Sequence, residues 1–349
     1  MVSIATNLSS DPETIDAVHS STANLPLIRL SAVNPFLMEL ERRGADGGSI
    51  LRRLGLPDDI PASSDLFASA VSIYEIVEEC AFAADDPHLG FGIGEALDLH
   101  QWEPIAKAIE KAETVGDLLR YFVVNALDHS TSTEFFVRTE GEKTTFGLNR
   151  VVTPPFKPAQ NDAFYLGFFA KVLRQATGEQ WEPGRVLAKV AMPEAIPSRR
   201  DLPRVAEGSS DGMRIAFPTN WQFSGIRKSR FSSSTVNGKA HIPESLVDSV
   251  HAALRPHVQE PDLTVDKAAR ICGYEKRRLG RLLRQQGTTI VKEIAEGRAA
   301  KARRALSEST RPVAEIGESV GFRDPTIFSR AFKNWTGHSP RQFRKLHKT

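Results

Sequence analysis

Two segments in the C-terminal part of the chain repeat each other. Val265–Gly287 reads VDKAARICGYEKRRLGRLLRQQG, and Val313–Gly337 reads VAEIGESVGFRDPTIFSRAFKNWTG. Each segment predicts a short helix, then a glycine, an aromatic and an acidic residue, and then a second helix. Four pairs match at an offset of 49 residues: Glu275 with Asp324, Leu279 with Phe328, Arg281 with Arg330, and Leu283 with Phe332. The C-terminal part is therefore predicted to contain one helical unit twice.

Both units have the features of a helix-turn-helix. Gly273 and Gly321 stand where the first helix ends and the chain needs a positive φ angle. Asp324 followed by Pro325 predicts an N-cap with proline at the first helical position, whereas Glu275 is a weaker cap. Small residues in each first helix allow the two helices to cross closely: Ala268, Ala269, Ala314 and Gly317. The sequence predicts helix-turn-helix units at 265–286 and 313–336.

The second helix of each unit has one apolar and one polar face. At 100° per residue, Leu279 and Leu283 share a side in the first unit, and Phe328 and Phe332 share a side in the second. Because the apolar face holds the helix on the core, the opposite face is available for the major groove of DNA. Arginine can bind guanine O6 and N7 there, and serine or threonine can contact bases or phosphates. The predicted DNA-contacting residues are Lys276, Arg277, Arg281, Arg284, Pro325, Thr326, Ser329, Arg330 and Lys333.

The formal net charge of the 349-residue chain is +2, but the charges are unevenly distributed. Residues 260–349 contain 20 Lys and Arg against 10 Asp and Glu, whereas residues 1–259 contain 25 against 33. A basic segment beside an acidic remainder is typical of a phosphate-binding module joined to a regulatory domain, because phosphate contacts release condensed counterions. A merely solvated basic surface has the same composition, so charge alone leaves both interpretations open.

The remainder of the chain predicts a mixture of helices and strands. Apolar residues at helical spacing, and β-branched and aromatic runs beside Gly141, carry this prediction. The predicted helices are 35–54, 71–82, 103–127 and 161–177, with Gly178 as a stop, and the predicted strands are 133–139, 143–151 and 185–191. The fold class is therefore an α+β N-terminal regulatory domain followed by an all-α C-terminal domain with two helix-turn-helix units.

Composition also suggests where the domains begin and end. Residues 1–23 are rich in Ser and Thr and predict a disordered tail, and residues 24–240 form the first predicted domain. The stretch 231–239, FSSSTVNGK, is typical of a boundary or an exposed loop. Residues 241–259 are predicted to be a linker. Leu246, Val250 and Leu254 stand at four-residue spacing, which indicates that this linker could be helical. The second domain is placed at 260–346.

Leu263–Arg344 resembles the DNA-binding domain of AraC/XylS-type transcriptional regulators. The residues that carry the resemblance are Arg298, Ala302 and Leu306, then Ala314-Glu315-Ile316, Gly321-Phe322, Asp324, Phe328-Ser329-Arg330, Phe332, Thr336 to Pro340, and Phe343-Arg344. The resemblance implies two helix-turn-helix units joined by one long helix at 291–307, with each second helix in successive segments of the major groove. Gly280 departs from the family because it has no side chain for a base contact, and Gly317 replaces the usual alanine.

Two N-terminal stretches resemble the regulatory domain of an AraC subgroup that is named after arabinose binding. They are Ile50–Pro57, ILRRLGLP, and Asp86–Gly94, DPHLGFGIG. The resemblance implies a sensor for an unidentified small-molecule effector, a homodimer, binding to promoter DNA and contact with RNA polymerase. Candidate pocket residues are aromatic or imidazole side chains, which at such spacing are more typical of a core: His100, Trp102, His129, Phe164, Tyr165, Phe168, Phe169, Trp181 and Trp221.

Other classes of protein have weaker support. Cys80 and Cys272 form no C-x-x-C pair, which favours a reducing cytoplasm, and a nucleophile elbow, a P-loop and the H-E-x-x-H motif are missing from the sequence. His88, His100 and His129 lack metal-ligand spacing, so neither a metal nor a cofactor is predicted. The sequence has no membrane span or signal peptide pattern. An enzymatic domain of the DNA-repair type fused to the DNA-binding domain, and a non-specific architectural DNA binder, remain the alternatives.

Overall fold

A computed structural model describes residues 25–58, 60, 66–98, 103–126, 130–226, 243 and 245–347. The predicted N-terminal tail, the stretch 231–239, and the candidate pocket residues His100, Trp102 and His129 lie outside these residues. The N-terminal part contains helices α1 (Asn34–Arg42), α2 (Gly47–Arg53), α3 (Ala70–Ala83), α4 (Leu89–Ala96), α5 (Glu103–Lys111), α6 (Val115–Ala126) and α7 (Ala159–Thr177). Its strands are β1 (Leu27–Arg29), β2 (Phe67–Ser69), β3 (Thr133–Glu140), β4 (Lys143–Arg150), β5 (Leu187–Val190), β6 (Arg204–Glu207) and β7 (Arg214–Pro218).

The larger sheet has the strand order β3-β4-β7-β5-β6. The predicted hairpin is its first pair, with Phe135 opposite Leu148, and it turns at Gly141, whose φ is +56°. Strand β5 is shorter than predicted and pairs in parallel with β6 and antiparallel with β7. Sequence reasoning missed β6 and β7, yet β7 holds the hairpin on the rest of the sheet.

Helix α7 and the sheet enclose the largest apolar cluster. Phe122, Phe146, Phe168, Phe169 and Trp221 are at most 1% exposed, and the ring centroids of Phe146 and Phe169 lie 4.1 Å apart. These aromatic side chains therefore pack on one another in the core of the domain.

Two predicted helices are each interrupted in the structure. The predicted helix at 35–54 is α1 and α2, between which Gly44 has a φ of +82°. The single predicted helix at 103–127 is two helices, α5 and α6, since Thr114 begins a new one. Thr114 Oγ1 accepts a hydrogen bond from the backbone N–H of Asp117 at 3.2 Å, and Asp117 Oδ2 accepts one from Thr114 N at 3.1 Å. This reciprocal capping box ends the helical run and redirects the chain.

The C-terminal part is helical, as predicted. Its helices are α8 (Leu246–Leu254), α9 (Val265–Ile271), α10 (Lys276–Gln285), α11 (Ile290–Glu308), α12 (Val313–Glu318), α13 (Pro325–Thr336) and α14 (Pro340–His347). Helix α8 lies in the segment expected to be a linker, but it is packed rather than free. Val250 and Leu254 share one apolar cluster with Leu279 and Leu283 of α10.

The same cluster includes residues from the beginning of the chain. Leu25, Leu27 and Phe67, on or beside the small β1–β2 sheet, are at most 4% exposed within it. The first helix-turn-helix unit and the N-terminal part therefore share a core. Within the described part of the chain, no helix is both long and apolar enough to cross a membrane.

Candidate nucleic-acid interface

The first helix-turn-helix unit consists of α9 and α10. Thr264 caps α9 by accepting a hydrogen bond from Lys267 N at 3.2 Å. Gly273 has φ +73° at the turn, where a β-carbon would be strained. Glu275 begins α10 without a side-chain cap, as its weak capping preference predicts. Leu279 and Leu283 are fully buried, so α10 has a fixed inner face.

The second unit consists of α12 and α13. Asp324 Oδ1 accepts hydrogen bonds from the backbone N–H groups of Thr326 at 2.6 Å and Ile327 at 3.3 Å. These two hydrogen bonds lower the pKa of the Asp324 carboxyl, so it is ionised at neutral pH. Gly321 has φ +85° and stands three residues before the cap, whereas Gly273 stands two residues before its cap. The second turn is thus one residue longer.

Aromatic packing fixes the inner face of α13. Phe328 and Phe332 are fully buried, with ring centroids 5.7 Å apart, and Phe332 meets the ring of Phe343 on α14 at 5.4 Å. A β-carbon at Gly317 would lie 3.0 Å from two ring carbons of Phe328. The departure from alanine at position 317 therefore permits α12 and α13 to cross closely.

The predicted DNA-contacting side chains lie away from these buried faces. Arg277, Arg281 and Arg284 are exposed on α10, one or two turns apart on the same side. Lys276 is also exposed, but its Nζ pairs with Asp266 Oδ2 at 3.0 Å. An exposed arginine face about two turns long is therefore available on the first unit.

The corresponding face of α13 has a different composition. Pro325, Thr326, Arg330 and Lys333 are exposed, and Ser329 is half-buried. Ser329 Oγ donates a hydrogen bond to the carbonyl of Pro325 at 2.8 Å, which leaves its oxygen free to accept. Thr326, Arg330 and Lys333 occupy the positions that arginines occupy in α10.

One exposed side chain on this face is missing from the predicted set. Ile327 is 55% exposed at the beginning of α13. At the matching position of α10, the guanidinium of Arg278 lies 4.8 Å from the ring centroid of Tyr274. An apolar side chain at the beginning of a recognition helix can contact a thymine methyl group. The only sign in the sequence that Ile327 is exposed is the polarity of its neighbours, because an isoleucine in a helix usually indicates a core position.

Helix α11 joins the two units, as the family resemblance implies. Its 19 residues span about 28 Å at 1.5 Å per residue. Arg298 in its middle donates hydrogen bonds from Nε to the carbonyl of Val258 at 3.2 Å and from Nη2 to that of Glu260 at 2.8 Å. The same guanidinium lies 5.4 Å from the ring centroid of Phe322 in the second turn. Arg298 therefore fixes the second turn against the segment that leads into the first unit.

The two thiols are poor candidates for chemistry. Cys80 and Cys272 are fully buried, and burial raises the pKa of each thiol to about 12. Both are therefore protonated at neutral pH and poor nucleophiles. Among the described residues, no group of three His, Cys, Asp or Glu side chains is placed to hold a metal ion.

Two helix-turn-helix units on one connecting helix, preceded by an α+β domain, define a two-domain protein of the DNA-binding type. Two family models match the chain. The model described as "Arabinose-binding domain of AraC transcription regulator, N-term" matches residues 44–204, and that described as "Helix-turn-helix domain" matches residues 268–346. The chain belongs to the AraC family of transcription regulators, in the subgroup with this N-terminal domain.

Curated relatives align with a limited part of the chain. The transcriptional activator NphR of Rhodococcus is 33% identical over 98 residues, which are 28% of this chain and 29% of that protein. The arabinose operon regulatory protein of Salmonella typhimurium is 32% identical over 113 residues, which are 32% of this chain and 40% of that protein. The chain thus matches less than half the length of these relatives. Among solved structures, the transcriptional regulator CdpR of Pseudomonas aeruginosa is 17% identical with a TM-score of 0.38, covering 90% of this chain and 98% of that one.

Proposed function

We propose that this protein is a sequence-specific DNA-binding transcription regulator in which α10 and α13 are the recognition helices. One observation carries the proposal. Both helices hold one face on the core through two fully buried side chains, and both present an exposed basic side chain at the same central position, Arg281 or Arg330. A repeated arrangement of this kind suits two segments of the major groove better than it suits a generally solvated surface.

Each exposed side chain has a proposed role. Arg277, Arg281 and Arg330 bind base edges, where a bidentate arginine favours guanine. Arg284, Lys276 and Lys333 bind phosphates and set the register of the helices on the duplex. Thr326 and Ser329 supply hydroxyl groups for bases or phosphates, and Pro325 packs against the groove wall. Gly280 leaves room for close approach of the backbone.

The N-terminal domain is proposed to sense a small molecule and to form a homodimer. The supporting observation is its family, whose description names arabinose binding in AraC regulators. Because the rings around Phe122 and Phe169 are buried against one another, we expect the effector to bind outside this cluster. Recruitment of RNA polymerase and a cytoplasmic location belong to the same proposal, in which the protein acts by binding rather than by catalysis.

The test is binding of the full chain to its own upstream DNA and to random DNA of equal length. Both titrations use one physiological salt concentration, because phosphate contacts make affinity strongly salt-dependent. A regulator of this type binds its cognate site about 10³-fold or more tightly than random sequence. Equal affinity for both DNAs would contradict the proposal and support a non-specific architectural binder.

A further inference from the structure

A cleft of about 700 Å³ lies between the N-terminal part and the first helix-turn-helix unit. One wall comes from α2 and α3, and the other comes from α9 and the segment that precedes it. Its volume is within the range of small-molecule sites, which occur preferentially at domain interfaces. Leu54, Leu56 and Ile271 give it an apolar part.

Two glycines with positive φ angles bring the walls together. A β-carbon at Gly55, where φ is +71°, would collide with the carboxylate of Glu260 and lie 2.9 Å from His257 Nδ1. A β-carbon at Gly273 would lie 3.4 Å from Ser69 Cβ and 3.8 Å from Val71 Cγ2. The turn of the first unit therefore rests directly on the beginning of α3. A contact this close makes the cleft sensitive to any movement of the first unit.

Most charged side chains in the cleft already have partners. Arg52 pairs with Asp46 at 2.7 Å and with Asp58 at 3.0 Å, and Arg53 pairs with Glu79 at 2.6 Å. On the opposite wall, Lys267 Nζ lies 2.5 Å from Glu260 Oε2 and 3.2 Å from Asp262 Oδ2. His257 Nδ1 lies 2.8 Å from Glu260 Oε1. These charged groups therefore form ion pairs with residues on their own side of the cleft.

Two opposite charges are left over, one on each wall. Within the described part of the chain, Glu75 on α3 and Arg270 on α9 have neither an ion pair nor a hydrogen bond from their side chains, and both are exposed in the cleft. Glu75 stands one helical turn after Val71, and Arg270 stands three residues before Gly273. The two charges therefore line the same cleft from opposite walls.

We propose that this cleft binds a zwitterionic small molecule, such as an apolar amino acid or short peptide, between Glu75 and Arg270. The carboxylate of Glu75 binds the ammonium group, and the guanidinium of Arg270 binds the carboxylate, for which its geometry is suited. Leu54, Leu56 and Ile271 contact the apolar part of the ligand.

Such a ligand connects the sensor to the DNA-binding part directly. Because it contacts both walls, it binds the docked arrangement of the first unit more tightly than a separated one, and so shifts the population toward docking. This inference rests on the proposed function, since it assigns the effector of the regulator a site and a chemical class. The second unit is affected through α11 and through the contact of its turn at Gly321 with Glu260 and Arg298.

The test is isothermal titration and thermal unfolding of the full chain with the proteinogenic L-amino acids and the dipeptides of leucine and phenylalanine. N-acetyl and amide derivatives of each ligand that binds remove one charge at a time. The variants are Glu75→Gln and Arg270→Gln. Matched controls are Glu179→Gln and Arg255→Gln, which change exposed side chains outside the cleft that have no partner among the described residues.

We expect at least one zwitterion to bind and to raise the unfolding temperature of the wild type and of both controls. Either cleft variant is expected to weaken binding about tenfold or more, and so is either derivative of the ligand, N-acetyl or amide. Each of these changes removes a charge-assisted hydrogen bond. Failure of the whole panel to bind, or binding by Glu75→Gln and Arg270→Gln that is as tight as that of the wild type, would overturn the inference. Binding to upstream DNA in the absence of ligand tests the proposed function separately, so the two failures are distinguishable.

Discussion

The two helix-turn-helix units have the same architecture but different supports. The first shares its apolar cluster with α8, Leu27 and Phe67, and its turn rests on Ser69 and Val71. The second has a small cluster of its own, formed by seven buried residues between Ala302 and Phe343. A structural change in the N-terminal domain therefore acts directly on the first unit. It reaches the second through α11, through the contacts of Arg298, and through the close approach of Gly321 to the carbonyl of Glu260.

The comparison also concerns DNA recognition. The first unit presents arginines at the three matching positions of its outer face, whereas the second presents Thr326, Arg330 and Lys333, with Ile327 beside them. The second face can use hydroxyl, guanidinium and apolar contacts, so it is better equipped to distinguish bases. In the proposed complex the first face depends on charge, which contributes affinity as well as guanine preference.

The largest expected effect is on the separate core of the second unit. Phe332→Ala removes a fully buried ring, at a cost of about 3 to 5 kcal/mol. We expect faster hydrogen exchange throughout 313–347, with little change in α8 to α10. The matched variant Leu283→Ala, in the shared cluster, is expected to accelerate exchange in β1 and β2 as well. Simultaneous opening of both units in Phe332→Ala would show that their cores are not separate.

The next effect concerns DNA. Arg330→Ala is expected to lose about 1 to 3 kcal/mol on the cognate site and to relax base preference there. Arg281→Ala is expected to lose a similar amount, with a larger share also lost on random DNA. The measurement is fluorescence anisotropy on both DNAs at fixed salt, and Arg200→Ala, an exposed arginine of the N-terminal domain, is the control. An equal loss on cognate and random DNA for Arg330→Ala would make it a phosphate contact.

The caps provide a smaller contrast. Asp324→Ala removes the acceptor for two backbone N–H groups and is expected to lower the unfolding temperature by a few degrees, whereas Glu275→Ala is expected to be neutral. Glu275→Asp is expected to be stabilising because aspartate is a better N-cap. Equal effects of the two alanine variants on the unfolding temperature would show that the two caps do not differ in strength.

The Asp324 cap also has a pH dependence whose direction follows from its pKa. Since the folded pKa is lower than the ordinary value near 3.8, its stabilisation is fully present above that value and is lost as the pH falls through the folded pKa. We expect the difference in stability between the wild type and Asp324→Asn to shrink below pH 3.8. A difference that grows on acidification would contradict the assignment.

The smallest effect separates two glycines. A β-carbon at Gly280 would meet only the flexible end of Arg284, at 3.4 Å, so Gly280→Ala is expected to stabilise α10 by about 0.5 to 1 kcal/mol. Gly317→Ala gains the same helix propensity but crowds the Phe328 ring, so we expect it to lower the unfolding temperature. Denaturant unfolding compares the two, and an equal gain at both positions would show that the close crossing does not require glycine.

The helical units could be predicted because their signals are local. Asp324-Pro325, the glycines and the spacing of Phe328 and Phe332 each act within one or two turns of helix. Strand β6 was missed because it has only four residues. Its parallel pairing with β5 is a contact that neither helix caps nor an alternation of apolar and polar residues can indicate.

The docking of the first unit could not be predicted for a similar reason. Gly273 and Ser69 are about two hundred residues apart in the sequence, and nothing near either indicates the other. The charges of Glu75 and Arg270 also look like ordinary solvated side chains until both walls of the cleft are in place. Ile327 is exposed at the beginning of α13, although an isoleucine in a helix usually indicates a core position.

The most direct test of the account is a hydroxyl-radical footprint of the full chain on its own upstream DNA. If α10 and α13 are both recognition helices, two segments are protected, with centres about one helical turn, or 10 base pairs, apart. Arg281→Ala is expected to weaken protection of one segment, and Arg330→Ala that of the other. A single protected segment, or loss of the same segment in both variants, would contradict recognition by two units.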